Sequence, residues 1–271
     1  MEQAGLAPEK NTITFSSAPA LGRFVQSKEK EAEESGCYLV INHVVDTDIT
    51  KIKNALRGRG LRKQIRLTYE NTMELLITKF IPGLAHEITS GLFFHQIASK
   101  ICAIPGHTPA SAIPVGASEF RIPGQRSKQG DGGFMPATRR SANDWPSIML
   151  EVGYSESLPY LHQDASWWLI HSLGQTRMVL IFRISWGPPS LRIEVWELVP
   201  NPGRVTRTRR AIVPKSTAAF DIAANGSVTP AIPLRIPYKT IFDDPHEYST
   251  DILWTPDELS TCALAIFGAL R

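Results

Sequence analysis

The sequence has few cysteines, no long apolar run and no large excess of either charge. Its three cysteines, Cys37, Cys102 and Cys262, lie far apart and form no Cys-x-x-Cys pair, which argues against a disulfide framework or a zinc ribbon. No apolar stretch reaches the roughly 18 residues that a membrane span needs. The N-terminal stretch also lacks the basic and apolar regions of a signal peptide. The sequence therefore predicts an intracellular protein, cytoplasmic or nuclear, that does not act at a membrane.

The charge of the chain is small in sum but unevenly placed. The net charge is +3 and the pI about 8.8, too little by itself to indicate a nucleic-acid-binding protein. Two basic runs, one between Asp48 and Glu70 and one beginning at Arg204, contain no acidic residue. Such runs either contact phosphates or form a solvated face. The residues predicted to contact nucleic acid are Arg59, Arg62, Lys63, Arg207, Arg209 and Arg210.

The composition indicates one globular domain with extensions. Apolar residues make up 42% of the chain and charged residues 20%, and a single core usually stops growing at roughly 250 to 300 residues. Residues 1–36 are polar and predict a flexible lead-in. We expect residues 37–271 to form a single domain, with its core at about 61–200.

Hydrophobic spacing divides the middle of the chain into a helix, three strands, a second helix and a further strand. Apolar residues recur at helical spacing from Leu84 until Pro105 ends the run. The next strand-like segments are separated by Gly, Pro, Ser or Asn. The predicted segments are 115–122, 132–136 and 147–153 for the three strands, 157–173 for the second helix and 178–184 for the last strand. The pattern predicts an α/β protein whose αβββαβ core is a mixed sheet flanked by helices, with N- and C-terminal additions.

Acidic residues stand at the ends of the predicted elements. Asp131 opens the second strand, Glu151 closes the third, and Glu87 lies near the start of the first helix. Acids at the ends of adjacent strands converge and repel one another unless a divalent cation lies between them. Mg²⁺ or Mn²⁺ held there would polarise a phosphoryl oxygen and lower the pKa of a bound water. The same acids also fit a turn residue and a solvent-facing residue, so the pattern alone leaves both interpretations open.

The segments that carry these acids resemble a known family. SKQGDGGFMP, WPSIMLEVGYSESLPYLHQDASWW and LRIEVWEL are similar to a group of fungal proteins related to a bacterial family of restriction endonucleases in the PD-(D/E)XK nuclease superfamily. The resemblance extends over residues 61–268 and is strongest at 128–197. It implies a restriction-endonuclease-like fold and Mg²⁺-dependent phosphodiester hydrolysis, with Asp131 as first metal ligand, Glu151 as second and Glu87 as the helix acid that completes the site.

Two positions depart from the family pattern. Gly130 stands where a proline usually precedes the aspartate, and Gly153 stands where the motif has a lysine that steadies the charge developing on the phosphoryl oxygens. Lys128 is the best remaining cation, and Asp164 and Gln175 are expected to support the metal ligands from behind. The protein is therefore either a nuclease with a relocated cation or a degenerate relative that binds nucleic acid or a protein through the same fold.

A second motif overlaps the first. His162 and Asp164 form a His-x-Asp pair, and His246 follows downstream, which are the ligand types of an Fe(II)- and 2-oxoglutarate-dependent oxygenase. The segment LHQDASWW also resembles the metal motif of the phytanoyl-CoA dioxygenase family. In a helix, however, residues two positions apart point roughly 200° away from each other and do not share a metal ion. This alternative therefore requires that 157–173 is not helical.

Overall fold

Two mixed β-sheets with helices packed against them form the framework of this computed structural model. The structure describes residues 11–35, 38–60, 65–80, 83–154, 158–201, 211–244 and 249–270, and the side chains of 29–35 are not described. The predicted α/β class, with mixed sheets flanked by helices, is confirmed. No helix within the described ranges has both the length and the apolar character to cross a membrane.

The elements follow one another along the chain in an N-terminal group, a central group and a C-terminal addition. The N-terminal group consists of β1 (Thr12–Thr14), α1 (Ala18–Ser35), β2 (Tyr38–Asn42), α2 (Asp46–Gly58), β3 (Ile65–Glu70), β4 (Leu75–Phe80) and α3 (Gly83–Cys102). The strands of the central group are β5 (Ala112–Val115), β6 (Glu119–Ile122), β7 (Arg126–Gln129), β8 (Gly132–Pro136) and β9 (Ile148–Tyr154). They are followed by α4 (Leu158–His171), β10 (Met178–Trp186), β11 (Pro189–Pro200) and β12 (Ile212–Ile222).

The remaining elements form a C-terminal addition. They are β13 (Val228–Thr229), β14 (Leu234–Ile236), α5 (Tyr238–Ile241), β15 (Ile252–Trp254) and α6 (Pro256–Gly268). A capping box starts α6, because the Thr255 hydroxyl accepts from the Glu258 N–H and the Glu258 carboxylate accepts from the Thr255 N–H. Arg139 donates to both carboxylate oxygens of Asp243 at 2.7 and 2.9 Å and so ties this addition to the central group.

The second sheet has the strand order β13-β12-β11-β10-β9-β8-β5, and its described pairings are antiparallel except for β9 with β10. The helix α4 connects these two parallel strands, as a parallel crossover requires. Both strands are largely apolar because both faces of the sheet are covered. Phe93 and Ile97 of α3 pack on one face with Trp254, and Leu161 and Trp168 of α4 pack on the other.

The first sheet has the order β1-β2-β4-β3-β7-β6. It carries a separate core in which α1 and α2 pack, through residues such as Leu21, Val25, Ile52 and Leu56, against the strands. Residues 11–35, which the sequence assigned to a flexible lead-in, thus contain β1 and a helix with buried apolar positions. The spacing of Leu21 and Val25 by four residues places both on one face of the helix.

The chain passes between the two sheets three times, from β4 through α3 to β5, from β5 to β6 and from β7 to β8. The segment 115–122, predicted as one strand, contains the last residue of β5, which pairs with β8 in the second sheet, and the whole of β6, which pairs with β7 in the first. The chain bends at Gly116, whose carbonyl accepts from the Ser118 N–H at 2.6 Å. It returns to the second sheet through Gly130 and Asp131, between β7 and β8.

Gly130 has no room for a side chain. A Cβ atom there would lie 2.3 Å from Met149 Cε and 3.0 Å from Trp168 Cζ2. This crowding accounts for the glycine immediately before Asp131.

We predict that Gly130→Ala lowers the free energy of unfolding by about 1–3 kcal/mol, because the new methyl group overpacks the space between Met149 and Trp168. Gly116→Ala is the matched control, since a Cβ at that crossing meets nothing within 4 Å, and its effect should stay within about 0.5 kcal/mol. Denaturant unfolding of the two variants measures the difference. Equal stability of the two would show that Gly130 is not sterically required.

Candidate functional site

Asp131 and Glu151 lie side by side where the first sheet meets the second. The register of β8 on β9 pairs Gly132 with Leu150, so the preceding Asp131 is opposite Glu151. Their side chains are 0% and 1% exposed. Oδ2 of Asp131 accepts a hydrogen bond from the Val152 N–H at 2.9 Å, which fixes this carboxylate against β9.

The side chain between these two acids is Lys79. Its Nζ lies 2.7 Å from Asp131 Oδ2 and 2.9 Å from Glu151 Oε2, and it is only 7% exposed. Lys79 belongs to β4 of the first sheet, in the segment LLITKF, where every residue is buried. The sequence interpretation missed this residue. The available signal was a single charged side chain within an otherwise uncharged, largely apolar strand, because a buried lysine requires a partner.

Further charged side chains surround this triad. Arg66 Nε lies 3.4 Å from Asp131 Oδ1, and His86 Nε2 lies 3.3 Å from Asp131 Oδ2. Lys128 Nζ lies 2.6 Å from Asp164 Oδ1 and 3.9 Å from Glu151 Oε1. We refer to these residues as the ion cluster, whose members are Arg66, Lys79, His86, Lys128, Asp131, Glu151 and Asp164.

The ion cluster gives its two central acids opposite pKa shifts. Burial alone would raise the pKa of Asp131, but the charges of Lys79, His86 and Arg66 outweigh it and hold this pKa well below the usual range. Burial raises the pKa of Glu151, and the nearby Lys79 and Lys128 do not fully offset it. Asp131 is therefore the carboxylate that stays ionised, and Glu151 is the one that takes up a proton more readily.

The pKa values of two basic members, Lys79 and His86, are shifted by the same neighbouring charges. Burial alone would lower the pKa of Lys79, but Asp131 and Glu151 raise it above its ordinary value. For His86, burial again acts downwards, and the carboxylate of Asp131 outweighs it and raises the pKa. Lys79 is thus a permanent cation rather than a nucleophile.

The indole of Trp168 orients Glu151 from the side of α4. Its Nε1–H donates to Glu151 Oε1 at 2.7 Å, and the Lys128 ammonium lies 5.9 Å from the centroid of the same ring. Glu151 therefore has one oxygen fixed by Trp168 and the other by Lys79.

The structure brings some of the predicted supporting residues to the site and not others. Lys128 and Asp164 pair with each other beside Glu151. Glu87 is 68% exposed and its carboxylate lies 3.7 Å from the His86 ring, so His86, and not Glu87, faces Asp131. The physical reason is the helical rotation of about 100° per residue, which turns neighbouring positions to different faces. Gln175 accepts from the Trp145 N–H at 2.8 Å and holds a loop rather than the acids.

The predicted nucleic-acid contacts are described only in part. Arg59 is half-buried, caps the C-terminal end of α2 and donates to Gln26 Oε1 at 2.7 Å. The other predicted contacts lie outside the described residues; they are Arg62, Lys63, Arg207, Arg209 and Arg210.

The two described residues of the His-x-Asp motif, His162 and Asp164, lie on α4 and contact different partners. His162 Nε2 lies 2.9 Å from Glu194 Oε2, whereas Asp164 faces Lys128 in the ion cluster. Residues 158–171 form one helix, so the separation expected for helical geometry is present. His162 and Asp164 are therefore not placed to hold one metal ion, and His246 lies outside the described residues.

Asp131 and Glu151 have the chemistry that a Mg²⁺ or Mn²⁺ ion requires. Both offer hard carboxylate oxygens, and the buried Oδ1 of Asp131 accepts no hydrogen bond from the described residues. Within the described ranges, no group of three or more His, Cys, Asp or Glu side chains is arranged to hold a metal ion. Mg²⁺ is commonly held by one or two carboxylates together with water and substrate phosphates. Two carboxylates therefore fit the ion in its phosphate-bound form.

Comparison with known proteins assigns no family to the chain. No protein-family model matches the chain, and no curated protein sequence matches it. The chemistry of the site is therefore inferred from its own residues.

The contact between His162 and Glu194 leads to a prediction of how the free energy of unfolding depends on pH. Burial alone would raise the pKa of Glu194, but hydrogen bonds from His162, Arg192 and Trp196 lower it to about 2. A lowered carboxylate pKa stabilises the folded state above the unfolded value of about 4.3, and this contribution is lost as the pH falls through the folded value.

We therefore expect Glu194→Gln to lower the free energy of unfolding at pH 7 and to approach wild-type stability as the pH falls below about 4.3. Urea unfolding of both proteins at a series of pH values measures the difference. A difference that is constant across this range would mean that the ionised carboxylate is not the stabilising species.

Proposed function

We propose that the chain is a Mg²⁺-dependent phosphodiesterase of the nuclease class that acts at Asp131 and Glu151. The observation that carries the proposal is the contact of one lysine ammonium with both buried acids, at 2.7 and 2.9 Å. Two acids and a lysine are the groups that metal-assisted phosphodiester hydrolysis uses.

The order of elements around the site supports a restriction-endonuclease-like fold. The elements α3, β5, β8, β9, α4 and β10 are a helix, three strands paired antiparallel, a crossover helix and a strand parallel to the third. This is the αβββαβ order that the resemblance implies, with β6 and β7 inserted after the first strand. Asp131 directly precedes the second strand and Glu151 lies on the third, as in the family pattern.

Lys79 takes the role for which the family uses the residue at position 153. Gly153 provides no cation, but the first sheet delivers the Lys79 ammonium to the same pair of acids. A fixed positive charge in a buried site stabilises the charge that develops on phosphoryl oxygens, and it does so without reorganising water. The relocated lysine comes from β4, outside the αβββαβ elements.

The roles of the other residues follow from their contacts. Asp131 and Glu151 would hold the metal ion, which when bound supplies Lewis-acid polarisation and a water of lowered pKa. Trp168 fixes Glu151 by its hydrogen bond of 2.7 Å. Lys128 and Asp164 form a neutral pair behind Glu151. The basic runs at Arg59 and at 204–210 are the proposed contacts with the nucleic-acid backbone.

A second candidate function rests on the burial of the same residues. Asp131, Glu151, Lys79, Lys128 and Asp164 have side chains that are at most 7% exposed. An ion cluster that is closed to solvent can hold two sheets together without taking part in catalysis. The second candidate is therefore a non-catalytic module that binds nucleic acid through its basic runs, with the ion cluster as a structural link.

We predict that the purified protein cleaves single- or double-stranded DNA in the presence of Mg²⁺ or Mn²⁺. Asp131→Asn and Lys79→Met should each lower the cleavage rate about 10²–10³-fold, the usual cost of removing a group that stabilises transition-state charge. Lys100→Met is the matched lysine control, because Lys100 pairs with Glu258 at 2.6 Å and does not contact the ion cluster. Gel-based cleavage of labelled DNA measures the rates.

Two outcomes would contradict the nuclease proposal. One is cleavage by Asp131→Asn at the wild-type rate, which would indicate a contaminating nuclease. The other is absence of cleavage by the wild-type protein with either metal. In that second case, DNA binding that weakens steeply with salt would favour the non-catalytic module.

A further inference from the structure

The position between Asp131 and Glu151 is already filled by a cation. The Lys79 ammonium contacts one oxygen of each carboxylate, Oδ2 of Asp131 and Oε2 of Glu151. A divalent ion bridging the two acids would need the same oxygens or the same space. Trp168 donates to the other oxygen of Glu151, so both carboxylate oxygens of Glu151 already have partners.

The charge balance of the ion cluster points the same way. Three carboxylates, those of Asp131, Glu151 and Asp164, face three fixed cations, Arg66, Lys79 and Lys128. The cluster is therefore close to neutral before any metal enters. Adding a divalent ion to a buried, balanced cluster leaves uncompensated positive charge, which is costly in a medium of low dielectric constant.

We infer that Lys79 is an exchangeable cation, which a divalent metal ion must displace from Asp131 and Glu151 in order to bind. The inference rests on the proposed function for the identity of the metal. It adds a competition between Lys79 and the metal ion for the two acids, which the proposed function does not require. It implies weak metal binding by the protein alone. Metal uptake also frees the Lys79 ammonium, which then lies beside the site and is available to an anionic phosphate group.

The competition is tested by Mn²⁺ binding without nucleic acid, measured by isothermal titration calorimetry. Lys79→Met should bind Mn²⁺ at least about tenfold more tightly than wild type, because its two acids lose the competing cation. Lys79→Arg should stay close to wild type. Lys128→Met is the charge-matched control: it removes one positive charge from the same cluster, but Lys128 contacts Asp164 and lies 3.9 Å from Glu151. Its gain should be clearly smaller.

A measurement on the wild-type protein covers the case in which Lys79→Met does not fold. Lysine labelled with ¹⁵N at Nζ gives ammonium signals in the NMR spectrum, and Lys79→Arg assigns the signal of Lys79. Titration with Mg²⁺ should shift or broaden this signal and leave that of Lys53, which pairs with Glu119 at 2.7 Å, unchanged.

Four results would overturn the inference. The first two are equal or weaker Mn²⁺ binding by folded Lys79→Met and an equal gain in Lys128→Met. The others are Mg²⁺ binding that leaves the Lys79 signal unmoved and absence of metal binding by every variant at millimolar concentration. These results are separable from the nuclease proposal, because metal exchange without DNA cleavage refutes the function alone. Mg²⁺-dependent DNA cleavage by a protein whose Lys79 signal does not move on Mg²⁺ titration refutes the exchange and retains the phosphodiesterase.

Discussion

The pairing of buried charges across two sheets is the constraint on which the rest of the structure depends. The fixed cations Arg66, Lys79 and Lys128 stand on β3, β4 and β7 of the first sheet, whereas the acids stand at β8 and β9 of the second sheet and on α4. Neither set could be buried alone, because an unpaired charge in the interior costs several kcal/mol or more. Each sheet therefore requires the other, and the loop through Gly130 that joins them must be tight enough to bring the charges into contact.

Periodicity in the sequence was sufficient to locate the two parallel strands of the second sheet and the helix between them. The helix predicted at 157–173 is observed at Leu158–His171, and the strand predicted at 147–153 at Ile148–Tyr154. The adjacency of Asp131 and Glu151 follows from these strands, because consecutive antiparallel strands place their facing residues next to each other. The segment 115–122 was misassigned because its composition favours a strand throughout, and nothing in it specifies that Val115 and the residues of β6 pair in different sheets.

The cations of the site were beyond the reach of local patterns. Lys79 is separated from Asp131 by 52 residues and from Glu151 by 72, and one sequence contains no record of which sheet packs on which. The prediction placed Glu87 at the site, whereas His86 lies there, and this error has a different cause. A period of 3.6 residues identifies the buried face of a helix, but a register uncertainty of one residue is enough to replace one neighbour by the other.

The crossing of the chain at Gly130 also determines the shortest fragment of the chain that could contain the whole ion cluster. A fragment that begins after β4 would retain Asp131, Glu151 and Asp164 together with Lys128, and would lose both Arg66 and Lys79. Two of its three acids would then be buried without their principal counter-ions. In this protein the elements that carry the three acids are thus not an autonomous module, because their counter-ions Arg66 and Lys79 come from the first sheet.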